Sequence, residues 1–136
     1  MPRPDPDTLI RAARACLGTP FHHQGRCPGA GLDCAGLIVH AARSCAMEII
    51  DQTDYPLLPP EAPLRESLCK HGLREVADTP LPGDILLFRF GRDARHLALA
   101  TDAGRMIHAY APAGQVVETA LTEVWQRRLT GVWRFN

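Results

Sequence analysis

The strongest strand signal in the sequence is DILLFRF, residues 84–90, which follows a sharp turn at Pro80, Pro82 and Gly83. Four further apolar segments of strand length come after it, and these are His96–Thr101, Arg105–Tyr110, Val116–Thr119 and Gly131–Phe135. A short helix is expected near residues 121–128, before the last of them. The second half of the chain therefore predicts a run of antiparallel strands.

The first half of the chain reads as helical instead. Apolar residues recur at helical spacing in three segments, which are 7–17 with Asp5 or Asp7 as N-cap, 33–47 capped by Asp33, and 62–71. A glycine-rich loop at 25–31 and a proline-rich segment at 51–63 separate these helices. Helices followed by antiparallel strands form the α+β pattern. We expect one domain over residues 1–136, with N-terminal helices packed on a central antiparallel sheet.

Composition and charge exclude several functional classes. The 136 residues include 15 basic and 15 acidic side chains, so the net charge is zero and does not favour binding to nucleic acid. No apolar run approaches the roughly 18 residues that a membrane span needs, and the N-terminus lacks the pattern of a secretory signal. The five cysteines show neither a pairing pattern nor zinc-site spacing. We expect a protein made in the cytoplasm, with free thiols, no metal or cofactor, no nucleic-acid partner and no membrane insertion.

Cys34 has the sequence context of a nucleophile. It follows Asp33, the predicted N-cap, and so occupies the first position of a helix. Free backbone N–H groups and the helix dipole favour a thiolate there, and such an environment lowers the pKa of a thiol. A cysteine packed in the core fits the local sequence equally well.

Two histidines, His96 and His108, are candidates for a base and its partner. They lie 12 residues apart on two strands joined by the turn around Asp102 and Gly104. A three-residue loop at 101–103, with Gly104 in the left-handed conformation, would make the histidines a direct cross-strand pair on one face, whereas a two-residue loop would separate them. A second histidine beside the first fits a triad, in which a third group fixes the tautomer of the base. A lone histidine at position 96 is more commonly a surface residue.

Taken together, these segments resemble the NlpC-type cell-wall cysteine peptidases. The similar segments follow the order of that family and are GTPF (18–21), GLDCAGL (31–37), LPGDILLF (81–88), HLALA (96–100) and MIHA (106–109). The resemblance implies a papain-like fold with Cys34 as nucleophile, His96 as general base and His108 as the residue that orients it. It also implies hydrolysis of amide bonds in peptidoglycan stem peptides, without a metal or cofactor.

Residues 18–26, GTPFHHQGR, are most similar to the phage-tail members of that family. This similarity implies a virion-associated protein that reaches the cell wall of the host as part of an injection machine. Other phage-tail proteins would then be its partners.

The sequence departs from the family at Phe21, where a tyrosine is common. The tyrosine hydroxyl helps to position the cysteine or the developing oxyanion, and phenylalanine has no hydroxyl to do so. His22 and His23 are the candidates to replace it, unless the backbone N–H of Cys34 acts alone. Ala35 stands where a serine is usual, which is a milder change.

Two other functions remain open at this point. One is a structural tail-tip subunit with a silent peptidase site, which predicts a large apolar interface on the proline-rich segment 51–63. The other is a papain-like acyltransferase or amidase that acts on a lipid or a small molecule. It predicts a deep apolar pocket beside Cys34 instead of an open groove.

Overall fold

A computed structural model describes residues 3–57, 59–102 and 104–136. Its helices are α1 (Pro6–Arg14), α2 (Cys34–Ser44), α3 (Glu61–Lys70) and α4 (Glu123–Arg128). Its strands are β1 (Arg26–Cys27), β2 (Gly31–Leu32), β3 (Leu73–Val76), β4 (Ile85–Phe90), β5 (Asp93–Ala100), β6 (Arg105–Tyr110), β7 (Gln115–Ala120) and β8 (Leu129–Phe135). A 3-10 turn at Ala111–Ala113 lies between β6 and β7. The mixed helical and antiparallel architecture confirms the predicted α+β class.

The main sheet has six strands in the order β3-β8-β4-β5-β6-β7, and every neighbouring pair is antiparallel. Strand β8 lies between β3 and β4, so these two earlier strands are linked within the sheet only through β8. At the other edge, the backbone of residues 18–21 bonds to β7 and its preceding turn, as in Gly18 N to Val116 O at 3.0 Å. The segment that leads toward Cys34 is thereby fixed to the sheet.

The two faces of the sheet carry different apolar clusters. Leu97 and Leu99 of β5 belong to the larger cluster, which includes buried residues of α1 and α2. Ala98 and Ala100 point to the opposite face, because side chains alternate along a strand. That face holds a smaller cluster, against which Trp125 of α4 packs. Helix α2 therefore lies on one side of β5 and helix α4 on the other.

The helices agree with the prediction, with ends that differ by at most three residues. Asp5 is the N-cap of α1 and accepts a hydrogen bond from Thr8 N at 3.1 Å. No described helix is both long enough and apolar enough to cross a membrane.

The glycine-rich loop at 25–31 is more ordered than predicted. It contains the antiparallel pairing of β1 with β2, in which Arg26 faces Leu32. The close approach depends on glycine, because a Cβ at Gly25 would lie 2.6 Å from the carbonyl carbon of Gly31. No strand was predicted at Leu73–Val76 either; β3 forms there by pairing with the distant β8.

The turn between β5 and β6 lies one residue later than the predicted 101–103 loop. Thr101 N donates to Arg105 O at 3.1 Å, and Gly104 has the expected positive φ of 76°. Ala103 lies outside the described residues. The strands pair Leu99 with Ile107, so the predicted direct pairing of residues 96 and 108 is wrong, and the two are diagonal neighbours. They still share one face, as expected.

Candidate active site

Cys34 is the first residue of α2, as the sequence predicts. Asp33 is the N-cap, and its Oδ1 accepts a hydrogen bond from Gly36 N at 2.8 Å. Gly36 allows the glycine-rich loop to contact this first turn, since a Cβ there would lie 2.1 Å from Gly25 O. The loop and the helix that carries the thiol are therefore held in direct backbone contact.

The Asp33 carboxylate is the centre of a polar cluster beside Cys34. Arg26 Nη1 binds Oδ1 at 2.9 Å, and Gln24 N donates to Oδ2 at 2.9 Å. The Tyr55 hydroxyl also donates to Oδ2. Arg26 Nε in turn binds Asp51 Oδ2 at 2.8 Å. Arg26 and Tyr55 were not predicted as site residues. The proline-rich segment that carries Tyr55 contains no motif that would indicate a contact with Asp33.

Burial raises the pKa of the Cys34 thiol to about 11, and the Asp33 carboxylate contributes to the same shift. The backbone N–H groups of Leu97 and Ala35, and the charge of Arg26, act in the opposite direction. The expectation that the helix terminus lowers this pKa is therefore wrong for this structure, because desolvation of the thiolate outweighs the helix N–H groups. Cys34 is protonated at neutral pH in this state.

His96 and His108 are in direct contact. His96 Nε2 and His108 Nδ1 are 2.7 Å apart, and both side chains are buried. The other ring nitrogen of His108, Nε2, is 3.2 Å from Thr119 Oγ1. Burial lowers the pKa of both imidazoles, and the neighbouring His108 lowers that of His96 further. Both rings are therefore neutral at pH 7, and one nitrogen of each carries a proton.

Two proton arrangements satisfy these contacts. If Thr119 donates to His108 Nε2, then His108 donates to His96 Nε2, and the proton of His96 lies on Nδ1. If His108 Nε2 donates to Thr119 instead, His96 Nε2 donates to His108 Nδ1, and His96 Nδ1 is free to accept a proton. Only the second arrangement lets His96 act as a base through Nδ1.

Four aromatic rings surround the histidine pair, and these are Phe88, Phe90, Tyr110 and Trp125. Phe90 stacks on His96 at a centroid distance of 5.3 Å, and Tyr110 stacks on His108 at 5.2 Å. These rings keep water from the imidazoles, which accounts for the lowered pKa values. Trp125 lies edge-on to His108 in this group.

The thiol and the imidazole pair lie on opposite sides of β5. The two histidines face the smaller apolar cluster, whereas Cys34 packs against the larger one. Cys34 is nevertheless close to the backbone of β5 next to His96. The backbone N–H of Leu97, the residue after His96, acts to lower the pKa of the Cys34 thiol. No hydrogen bond joins Cys34 Sγ to His96 within the described ranges. Of the three predicted catalytic residues, the structure brings two into contact.

The residues predicted for oxyanion binding are His22, His23 and Phe21. Their hydrogen bonds and ring contacts among the described residues are with groups other than the Cys34 thiol. His22 is exposed, and its Nδ1 contacts His23 O at 2.9 Å. His23 lies edge-on to Tyr55, with ring centroids 5.5 Å apart. Phe21 packs against the larger cluster. In the part of the chain that the structure describes, none of the three forms a hydrogen bond with Cys34.

A cavity of about 330 Å³, here named the apolar chamber, borders Cys34. It lies between α2, α3 and residues 49–56 and 59–60, and its apolar wall includes Ile38, Ala42, Leu64, Leu68 and Phe135. Tyr55 and Arg26 also line it. The described residues contain no cluster of three or more His, Cys, Asp or Glu side chains that could hold a metal ion.

An α+β fold with a cysteine at a helix N-terminus and paired histidines on the sheet is typical of papain-like proteins. Residues 18–134 match the sequence model of the NlpC/P60 family, and the chain belongs to that family. A search of curated proteins finds no match.

Solved structures of NlpC/P60 proteins share this fold. An NlpC/P60 family protein from Bacillus cereus is 23% identical with a TM-score of 0.75, over 98% of this chain and 41% of its own. The NlpC/p60 domain of the peptidoglycan hydrolase SagA is 22% identical with a TM-score of 0.65, over 94% and 97%. RipD from Mycobacterium tuberculosis, a non-catalytic NlpC/p60 domain protein adapted to peptidoglycan binding, is 17% identical with a TM-score of 0.64, over 95% of both chains. The chain thus spans about two fifths of the Bacillus cereus protein but almost all of the isolated SagA domain.

Proposed function

We propose that the protein is a cysteine peptidase or amidase that hydrolyses amide bonds in peptidoglycan stem peptides. The observation that carries this proposal is the 2.7 Å contact between His96 and His108, which supplies an oriented base in a fold that also places a cysteine at a helix N-terminus. Membership of the NlpC/P60 family supports it, and so does the similarity to the peptidoglycan hydrolase SagA.

In the proposed mechanism, Cys34 transfers its proton to His96 and attacks the carbonyl carbon of the amide. The backbone N–H of Cys34 binds the oxyanion, and His108 keeps the His96 ring aligned. The C–N bond breaks as His96 returns the proton to the leaving amine, and water then hydrolyses the thioester. Because burial raises the pKa of the Cys34 thiol, this proposal places the proton transfer in the substrate complex. The transfer requires a rearrangement that brings His96 Nδ1 and the thiol together, since they lie on opposite sides of β5.

A second candidate function is a structural or peptidoglycan-binding subunit with a silent site. The raised pKa of Cys34 and its separation from the histidine face favour this alternative. The non-catalytic relative RipD has the same fold.

The proposed place of action is a phage tail, from which the protein would enter the cell wall of the host alongside other tail proteins. This part of the proposal rests on the similarity of residues 18–26 to phage-tail members. It predicts that mass spectrometry finds the protein in purified virions, and its absence from them would contradict the tail assignment.

The proposed activity is tested by digesting purified sacculi with the wild type and with Cys34→Ala, followed by mass analysis of the released muropeptides. Cys69→Ala is the matched control, because Cys69 is an exposed thiol on α3. We expect products from the wild type and the control and none from Cys34→Ala. Product release that survives Cys34→Ala would refute the nucleophile, and a wild type that binds sacculi without cutting them would favour the silent site.

A further inference from the structure

The apolar chamber lies against α2, and Cys34, the first residue of that helix, is part of its wall. Three residues of its wall, Cys34, Ile38 and Ala42, are spaced four apart and so line one face of α2. Eight residues of helix correspond to about 12 Å. Leu64 and Leu68 line the opposite wall from α3, again four residues apart. The space therefore runs along α2 from the thiol for about two helical turns.

The wall of the chamber favours an uncharged occupant. The two arginines near it are already bound to carboxylates, Arg26 to Asp33 and Asp51, and Arg95 to Asp93 at 2.6 Å. An anionic group that entered would lose hydration without finding an arginine that is not already paired, which is costly. Anionic side chains of a peptide are therefore poor occupants, and an alkyl group suits the apolar wall.

The size of the apolar chamber fits one aliphatic chain. Its volume of about 330 Å³ is at the lower end of the range of small-molecule sites. An extended chain advances about 3.5 Å for every three bonds, so about 12 Å holds roughly ten bonds. This length matches one medium-length aliphatic chain.

We propose that the apolar chamber binds one unbranched aliphatic acyl chain of about eight to ten carbons and places its carbonyl carbon at Cys34. The binding step does not require catalysis. The reaction it would permit rests on the proposed role of Cys34 as nucleophile. In that reaction the sulfur bonds to the acyl carbon of an ester and the C–O bond breaks. The alcohol leaves with the thiol proton by way of His96, and water then releases the carboxylic acid.

Binding is tested with N-methyl alkanamides from four to twelve carbons, which are neutral and keep a carbonyl group. Calorimetric titration of the wild type and of Cys34→Ala is expected to give a Kd that falls about three- to fourfold for each added methylene. The gain should end near ten carbons, where the chamber is full. A Kd that does not depend on chain length, or no binding at any length, would overturn the proposal.

Two variants shorten the chamber from opposite walls, Ala42→Leu on α2 and Ser67→Leu on α3. We expect each to lower the optimal chain length by two to four carbons and to leave the four-carbon amide unaffected. Val124→Leu on the exposed surface of α4 is the control. Thermal unfolding shows which variants are folded, and an unchanged optimum in both folded variants would also overturn the proposal.

Hydrolysis of p-nitrophenyl octanoate and acetate by the wild type and Cys34→Ala separates this inference from the proposed function. Sacculus digestion without alkanamide binding would refute the acyl site alone. Alkanamide binding without sacculus digestion would refute the peptidoglycan activity alone. Preference for octanoate over acetate that depends on Cys34 would support the acyl site as a reactive one.

Discussion

At the scale of single residues, the charge of Asp33 adds to the effect of burial on the pKa of the Cys34 thiol. This carboxylate must cap α2, yet it also raises the pKa of the cysteine that follows it. Hydrogen bonds from Arg26, Gln24 and Tyr55 offset part of this charge. Tyr55 supplies a hydroxyl next to the nucleophile in a chain where Phe21 cannot.

Tyr55→Phe keeps the ring and removes only this hydroxyl. The charge of Asp33 then acts on Cys34 with less compensation, and we expect the pKa of the thiol to rise by about half a unit to one unit. The rate of iodoacetamide labelling against pH measures it, in a background where the exposed Cys27 and Cys69 are replaced by serine. An unchanged labelling profile in a variant that melts like the wild type would contradict this role.

The two buried histidines make stability depend on pH. Their pKa values are lowered from 6.5 in the folded protein, so below that pH the unfolded chain binds more protons than the folded one. Stability therefore falls as the pH drops from about 6.5 toward the lowered values. Between pH 7.5 and 5.5 we expect a loss of about 1 kcal/mol for each histidine, measured by urea unfolding.

His108→Asn should remove about half of this loss, since it leaves one buried imidazole. His40→Asn is the control, because His40 is a partly exposed residue of α2. Equal pH dependence in all three proteins would show that the pair is not the cause.

At the scale of elements, Asp84 joins three parts of the fold. It accepts a hydrogen bond from Leu81 N at 2.8 Å in the turn before β4. It also forms two bonds of 2.9 Å with Arg134 of β8, and both side chains are buried. The start of β4 is thereby tied to the end of β8.

Arg134→Leu would leave the carboxylate of Asp84 buried without its cation. Loss of one partner of such a pair destabilises a protein by about 3–5 kcal/mol, and we expect a loss of this size in urea unfolding. Arg105→Leu is the matched control, since Arg105 is 46% exposed and lies 3.7 Å from Glu118. It should cost about 0–1 kcal/mol. Similar losses in both variants would contradict the argument.

The sequence predicts those elements whose signal is local. The N-cap at Asp33 and the strand at residues 84–90 are specified by neighbouring residues, and both are found. Strand β3 and the β1–β2 pairing were missed, because the first depends on the distant β8 and the second on glycines that permit close backbone contact.

The same distinction applies to the candidate site. Strand periodicity predicted that His96 and His108 share a face, and they do. The alternation of side chains along a strand does not show on which face of the sheet α2 packs. That face is set by contacts between α2 and the other residues of the larger cluster. Among the described residues no hydrogen bond joins Cys34 to His96, because α2 packs on the face of β5 opposite the histidines. Tyr55 could not be predicted for a similar reason, since the proline-rich segment has no periodic pattern.

At the scale of the whole molecule, strand β8 completes the sheet and the apolar chamber together. Val132 and Trp133 pair with strands on both sides, and Phe135 lines the chamber. A chain that ends at residue 128 would leave β3 and β4 without a shared neighbour. We expect it to show no cooperative thermal unfolding by circular dichroism, whereas removal of Asn136 alone should leave a sharp transition. A cooperative transition in the shorter chain would contradict this dependence.

The central position of β8 also affects how the chain folds as it leaves the ribosome. Strands β4 to β7 can assemble as a meander during synthesis, but β3 must wait until residues 129–135 have emerged. Until then the edge of β4 offers unpaired backbone groups to any other strand, which is a common origin of aggregation. A nascent chain stalled before residues 129–135 have emerged would therefore be an expected client of ribosome-associated chaperones, because β3 and β4 still lack their shared neighbour.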